Sequence, residues 1–155
     1  MELSKADDYR YYNGGYFRTL LSPEQTNNAM ALIEFTLPKG AEPPLHIHQD
    51  EDESFYILEG ELKVRIGDAV TTLKPGEAIF APRNIPHAFT ILSGKVKMLN
   101  LITPGTLWNF FNEFSAPVTG QPHIPEEQVM PDKEAVSLML QTIKSIYHIN
   151  FFETK

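Results

Sequence analysis

The sequence predicts an all-β barrel or sandwich that is followed by two helices. Between residues 29 and 102 the chain divides into short β-prone runs, separated by proline, glycine and aspartate turn signals. After residue 104 the apolar residues recur at helical spacing instead. At roughly 150 residues per domain, the 155 residues correspond to a single domain. We therefore expect one domain over 1–155, with the barrel at about 26–103 and a helical extension at about 104–155.

Each predicted strand is bounded by residues that favour turns. Alternation is clearest from Leu62 to Ile66, where every second residue is apolar and these side chains share one face. Gly67-Asp68 then predicts a hairpin, and Pro75-Gly76 fits the centre of a type II turn. The predicted strands, in chain order, are residues 29–37, 45–48, 53–59, 61–66, 69–73, 77–81, 87–92 and 95–102. Strands this short and this evenly spaced are typical of a β sandwich or barrel.

Two amphipathic helices are predicted after the strands. Apolar residues from Leu107 to Phe114 have the i, i+3, i+4, i+7 spacing of one helical face. Residues 115–131 are rich in proline and are predicted to form a loop. Asp132 is a suitable N-cap for the second helix, and residues 149–152 predict a final extended segment.

Composition excludes several classes of function. The net charge of −7 leaves no cationic surplus for binding nucleic acid or an anionic membrane surface. No apolar run approaches the roughly 18 residues of a membrane span, and the N-terminus lacks the apolar segment of a signal peptide. The absence of cysteine excludes thiolate nucleophiles, thiolate metal sites and disulfides. We expect a cytoplasmic protein that binds neither nucleic acid nor membrane.

Three of the five histidines form, with one glutamate, a pattern that suits a metal site. His46 and His48 are two residues apart on an extended segment, so their side chains share one face. Glu53 follows five residues later, and His87 begins a later strand. Three imidazoles and one carboxylate suit a divalent Mn, Fe, Co, Ni, Cu or Zn ion, and not Ca or Mg. Four such ligands leave coordination positions open for water, dioxygen or substrate. For the His-x-His pair alone, a chance pairing on a solvated strand face is the alternative.

The acidic run beside Glu53 offers competing carboxylates. We interpret Asp50, Glu51 and Asp52 as a solvated loop that attracts cations, because charge runs are usually exposed. Asp52 is the substitute ligand if Glu53 does not fill this role.

Strand parity predicts the walls of a pocket around these residues. Phe55 and Ile57 share a strand face with Glu53, and Phe89 and Ile91 share one with His87. If Lys97 faces outward on the last strand, Met98 and Asn100 face inward. Such an apolar and aromatic cavity suits a planar or hydrophobic ligand better than a sugar phosphate. Plain barrel core is the alternative for each apolar residue. A buried Asn100 amide, in contrast, needs a hydrogen-bond partner.

The spacing of these residues resembles the two sequence motifs of the cupin superfamily. The first is Gly40-x5-His46-x-His48-x4-Glu53-x6-Gly60, which matches the family at every position. The second is Gly76-x5-Pro82-x-Asn84-x2-His87-x3-Ile91. It departs at Asn84, where the family has glycine, and at Ile91, where the family has asparagine. Asparagine tolerates positive φ well, so we expect the turn at Asn84 to persist.

The resemblance implies a fold and a set of metal ligands. The fold is the cupin barrel, a jelly roll also described as a double-stranded β-helix. The implied ligands of an internal metal ion are His46, His48, Glu53 and His87.

A closer resemblance, over about residues 14–153, is to the quercetin dioxygenase-like group of cupins. It rests on the segments GAEPPLHIHQDEDESFYILEGEL, PRNIPHAF, TPGTLWNFFNEF and YHINFF. It implies one divalent transition metal ion, dioxygen as a co-substrate, and a phenolic or enolic substrate similar to a flavonol. Glu53 would both ligate the metal and accept the substrate's hydroxyl proton, and the protein would be a homodimer. A metal-dependent isomerase or decarboxylase and a non-catalytic small-molecule binding module are the alternatives.

Overall fold

The computed structural model describes residues 8–129 and 131–152. The strands of this part of the chain are β1 (Tyr9–Tyr12), β2 (Gly15–Leu21), β3 (Ala31–Pro38), β4 (His46–His48), β5 (Asp52–Glu59), β6 (Leu62–Ile66), β7 (Ala69–Leu73), β8 (Ala78–Ala81), β9 (His87–Ile91), β10 (Lys95–Thr103), β11 (Ala116–Pro117) and β12 (Ile149–Phe151). The helices are α1 (Trp108–Glu113), which a 3₁₀ turn at Gly105–Leu107 precedes, and α2 (Lys133–Ser145).

The strands form two antiparallel sheets. One has the order β11-β1-β2-β3-β10-β5-β8, and the other has the order β12-β4-β9-β6-β7. The core draws side chains from both sheets, with Ile33 and Ile57 from the first and Leu62 and Ile91 from the second completely buried. The predicted all-β barrel with two C-terminal helices is therefore confirmed.

Side-chain parity along the central strand agrees with the predicted pattern. In β10 the buried residues alternate with half-buried or exposed ones and are Val96, Met98, Asn100 and Ile102. Lys97 faces outward, where its Nζ lies 3.7 Å from Glu34 Oε1. This register turns Asn100 towards the inside of the barrel.

The seven-stranded sheet includes strands outside the predicted barrel range. Both β1 and β2 precede residue 26, and β2 pairs with β3 from Tyr16 to Leu21. Ala116–Pro117, within the segment predicted to be a loop, pairs with Arg10 and Tyr11 of β1. Proline lacks a backbone N–H, which limits pairing to this edge position and hides the strand in the sequence.

The helical extension packs on the barrel of its own chain. Phe110 of α1 is only 2% exposed, and its ring contacts Tyr12 of β1 and Tyr147 after α2. This apolar face of α1 is therefore covered within the chain, and the homodimer stays a prediction. No helix in residues 8–129 or 131–152 combines the length and the apolar composition needed to cross a membrane.

Candidate metal centre

Four side chains from three strands converge inside the barrel. From β4 come His46 and His48, which are both buried, whereas Ile47 between them has the opposite parity. The neighbouring β9 places His87 directly opposite His46. Glu53 reaches the same position from β5 in the other sheet. The potential ligand atoms of all four residues lie within 4.8 Å of one another.

Backbone contacts around β4 and β9 hold the imidazoles in place. Pro43 and Pro44 keep the chain extended as it enters β4. The Asn84 N–H donates to the carbonyl of His48 at 2.7 Å, which ties the turn before β9 to the end of β4. Asn84 has a φ of 63°, so asparagine adopts the left-handed conformation in place of the expected glycine. The motif departure at Asn84 leaves the turn intact, as predicted.

The shortest contacts of the cluster meet at one oxygen of Glu53. Glu53 Oε2 lies 3.0 Å from His87 Nε2 and 3.1 Å from His48 Nε2. The rings of His48 and His87 are nearly parallel, with centroids 5.1 Å apart, and the centroid of His46 is 4.5 Å from that of His87. Three imidazoles and one carboxylate oxygen thus face a common position.

Backbone carbonyls outside the cluster determine which nitrogen of the His46 and His87 rings is protonated and which has a free lone pair. His46 Nδ1 donates to the Pro44 carbonyl at 2.8 Å, and His87 Nδ1 donates to the Ile85 carbonyl at 3.2 Å. A carbonyl only accepts, so Nδ1 carries the proton and Nε2 of the neutral ring has the free lone pair. Neutral imidazole with such an outer partner is the form that ligates metals.

The donor set fits a bound cation. His87 Nε2 and Glu53 Oε2 are both acceptors when the ring is neutral, yet they lie only 3.0 Å apart. His48 Nε2 is completely buried and has no hydrogen-bond partner among residues 8–129 and 131–152. A cation between these atoms would satisfy all of them, and mixed nitrogen and oxygen ligands suit a divalent transition metal. The cluster could therefore hold one such ion.

Glu51 is the outer partner of His48, a role that the sequence did not predict. Its side chain is buried, and its Oε2 lies 3.6 Å from His48 Nδ1. Thr106 Oγ1 donates to Glu51 Oε1 at 3.4 Å from the turn before α1. The interpretation of this residue as part of a solvated loop is therefore wrong. The spacing of three residues from His48 is its only sequence signal.

The remaining acidic and histidine residues nearby have other partners. Asp52 forms a two-point ion pair with Arg83, with distances of 3.1 Å to Nε and 2.8 Å to Nη2. Asp52 is therefore not a substitute for Glu53. Asp50 Oδ2 lies 2.5 Å from Nδ1 of His148, and His123 contacts a tyrosine on β1. Neither histidine joins the cluster.

His46, His48 and Glu53 differ in their pKa shifts and therefore in their protonation states. Burial lowers the pKa of His46 to about 4, and the neighbouring His87 adds to this decrease. Burial also disfavours the charged form of His48, but the carboxylates of Glu53 and Glu51 outweigh it and raise the pKa to about 9. Burial opposes ionisation of Glu53 as well, yet the charge of the neighbouring His48 holds the pKa of Glu53 well below its usual range. Before an ion binds, Glu53 is ionised and His48 carries a proton at neutral pH.

Metal binding at pH 7.5 is therefore expected to release about one proton per ion, because His48 must become neutral to ligate. The raised pKa of His48 means that affinity increases with pH until about pH 9 and is lost progressively as the pH falls. Calorimetric titration with Zn²⁺ in two buffers of different ionisation enthalpy measures the proton count. Heats that do not depend on the buffer would contradict the prediction.

An apolar cavity of about 500 Å³ opens beside the cluster. His46, His48 and Glu53 form its polar end, and no lysine or arginine lines it within the described residues 8–129 and 131–152. Four of the predicted pocket residues line it: Phe55, Phe89, Met98 and Asn100. Ile57 and Ile91 lie completely buried in the core and are not among the lining residues.

Tyr12 adds a polar group to this cavity from the N-terminal strand. Its ring packs against Phe35 and Phe111, with centroids 6.1 and 5.3 Å away. Burial raises the pKa of the Tyr12 hydroxyl, and the nearby charge of Glu53 raises it further. The sequence did not predict this residue, because its position depends on pairing between β1 and β2, far from the motifs.

The C-terminal extension supplies the other unpredicted part of the wall. Met139 and Ile143 of α2 line the cavity, as does Phe151 of β12, whose ring centroid is 5.8 Å from that of His46. The helical spacing of α2 predicts its apolar face, but which barrel opening it covers depends on tertiary packing.

Comparisons with solved structures and with a family model agree with this fold. The family model described as "Cupin domain" matches residues 33–118. KdgF from Halomonas sp. is 19% identical, with a TM-score of 0.59 over 67% of this chain and 94% of that one. A protein described as a predicted oxalate decarboxylase, from Thermotoga maritima, is 25% identical, with a TM-score of 0.57 over 67% of this chain and 99% of that one.

Sequence comparison finds two relatives, one of which is named as an enzyme. Quercetin 2,3-dioxygenase from Bacillus subtilis (strain 168) is 27% identical over 103 residues, which are 66% of this chain but 31% of the enzyme. An uncharacterised protein of Methanocaldococcus jannaschii is 31% identical over 87 residues, which are 56% of this chain and 70% of that protein. The matched region thus spans less than a third of the dioxygenase.

Proposed function

Because the chain belongs to the cupin family, we propose that it is a mononuclear-metal dioxygenase acting on a small phenolic or enolic compound similar to a flavonol. The observation that carries this proposal is a buried cluster of three imidazoles and one carboxylate at the polar end of an apolar cavity. The similarity to quercetin 2,3-dioxygenase supports the reaction class.

In this proposal His46, His48, Glu53 and His87 hold one divalent transition metal ion. Inward Nε2 lone pairs and an ionised carboxylate are suitable ligands, and they leave the side towards the cavity open. When bound, the ion would supply Lewis-acid and redox chemistry to the substrate.

Glu53 is the proposed base of the reaction. Its carboxylate is ionised at neutral pH and lies at the polar end of the cavity. It would accept the proton of the substrate's hydroxyl group and leave an electron-rich enolate or phenolate that dioxygen can attack. Phe55 and Phe89, with ring centroids 6.0 Å apart, would bind a planar substrate and exclude water.

A metal-dependent decarboxylase is the second candidate, because the Thermotoga maritima protein described as a predicted oxalate decarboxylase is 25% identical. A small dianion such as oxalate is best held by cationic side chains. The cavity has no lysine or arginine among the residues that the structure describes, and its aromatic walls suit a larger ligand. We therefore favour the dioxygenase.

Oxygen uptake in the presence of quercetin separates these functions. Protein loaded with Mn²⁺, Fe²⁺, Co²⁺ or Ni²⁺ is expected to consume oxygen as the flavonol absorption disappears, and Glu53→Gln is expected to lower the rate per bound metal about 100-fold or more. Asp52→Asn is the matched control, because this neighbouring carboxylate pairs with Arg83 and should keep the wild-type rate. Turnover of a substrate without oxygen would favour the decarboxylase, and binding without product would favour a binding module.

A further inference from the structure

Asn100 is a buried amide that contacts the cluster without being one of its four members. It lies on β10 opposite Phe55 of β5, which is two residues along from Glu53. Asn100 is 4% exposed, and its Nδ2 donates to Glu53 Oε1 at 3.0 Å. The hydrogen bond therefore links the central strand of the sheet to the carboxylate inside the barrel.

The amide has one favourable orientation against this carboxylate. An ionised carboxylate only accepts hydrogen bonds, so the NH₂ group of Asn100 must face Glu53. The other end, Oδ1, is then buried and has no hydrogen-bond partner among residues 8–129 and 131–152. A buried acceptor without a partner destabilises the fold. Each unsatisfied buried group of this kind calls for an explanation, and the contact that this orientation provides is the one to the Glu53 carboxylate.

The two oxygens of Glu53 have different surroundings. Oε2 faces the inner nitrogens of His48 and His87 at 3.1 and 3.0 Å. Oε1 instead accepts the hydrogen bond from Asn100. Because one oxygen is held by the amide, the carboxylate presents a single oxygen to the position that the imidazoles surround.

We propose that Asn100 is a positioning residue, which holds Glu53 so that Oε2 alone reaches the metal ion. This inference rests on the proposed metal centre. With one carboxylate oxygen engaged, a coordination position towards the cavity remains open for substrate. Without Asn100 the carboxylate is free to turn, so it can offer both oxygens or swing away from the ion. Either change alters the number and geometry of the ligands.

Titration of Asn100→Leu with Co²⁺ tests the proposal, since leucine is similar in size but has no donor. We expect the Kd for Co²⁺ to rise about 10- to 100-fold, as is typical when an outer partner of a metal ligand is lost. The visible absorption of bound Co²⁺ is also expected to change in wavelength and intensity. Asn150→Leu makes the same chemical change on β12, opposite Ile47 and away from Glu53, and should keep the wild-type Kd and spectrum.

If Asn100 had only a structural role, the Asn100→Leu variant would behave differently in these measurements. Its Tm would be lower while the Co²⁺ affinity and spectrum of the folded protein stayed unchanged, and this outcome would overturn the proposal. If Asn100→Leu does not fold, Asn100→Ser replaces it, because the shorter hydroxyl does not reach Glu53 and the same losses are expected. Wild-type protein that fails to bind Co²⁺ would instead overturn the metal centre, so the two failures are distinguishable.

Discussion

His48→Ala is expected to leave the purified protein without a stoichiometric transition metal. His48 is 3% exposed and supplies one of the four clustered ligand side chains in residues 8–129 and 131–152, so alanine at this position leaves three protein ligands. The loss of affinity should exceed the roughly 10- to 100-fold effect of losing an outer partner. Elemental analysis after expression in metal-supplemented medium measures the result.

Thermal unfolding provides a second measurement of the same effect. A ligand that binds only the folded state raises the free energy of unfolding by about 4 kcal/mol at 1,000 times its Kd. Wild-type protein is therefore expected to gain several degrees in Tm when Zn²⁺ or Co²⁺ is added in such excess. His48→Ala should gain almost nothing at the same concentration.

The matched control for this prediction is His123→Ala. His123 is exposed and contacts Tyr11 outside the cluster, so its removal makes the same chemical change without touching a ligand. This variant should retain the wild-type metal content and the same increase in Tm. If His48→Ala itself retained one ion per chain, the cluster would not be the metal site, and the dioxygenase proposal would lose its basis.

The ligand cluster could be predicted because the side-chain directions of its residues follow from alternation along each strand. Two histidines on one short extended segment share a face by strand parity alone, and Glu53 follows on the next strand at a fixed spacing. The same parity places Met98 and Asn100 inside β10. These assignments depend on the period of a strand and not on which strands are neighbours.

Residues whose role depends on distant packing could not be predicted in this way. Glu51 belongs to an acidic run of a kind that is usually solvated, yet it is buried and contacts Thr106 and His48, which are distant in sequence or on a different element. Tyr12 reaches the cavity through the pairing of β1 with β2, and α2 reaches it after a long loop. A single sequence contains the amphipathic face of α2 but not the surface that it covers.

Met139→Trp is expected to weaken flavonol binding and to leave the metal in place. Met139 lies on the cavity side of α2, so a larger ring at this position occupies space that a substrate would need. Overfilling a packed site costs about 1–3 kcal/mol, which corresponds to a Kd about 5- to 150-fold higher. Titration of metal-loaded protein with quercetin under nitrogen measures this Kd without turnover.

The control for this substitution is Leu138→Trp, one residue earlier on α2. Leu138 is 59% exposed and does not line the cavity, so the same bulky ring should leave quercetin binding unchanged. Unchanged quercetin binding by Met139→Trp would mean that the ligand does not enter the space beneath α2. Because Met139 is not a member of the metal cluster, weaker binding at full metal occupancy would assign the effect to the cavity wall. The pair of variants therefore separates the role of the C-terminal helix in selecting a ligand from the role of the barrel in holding the ion.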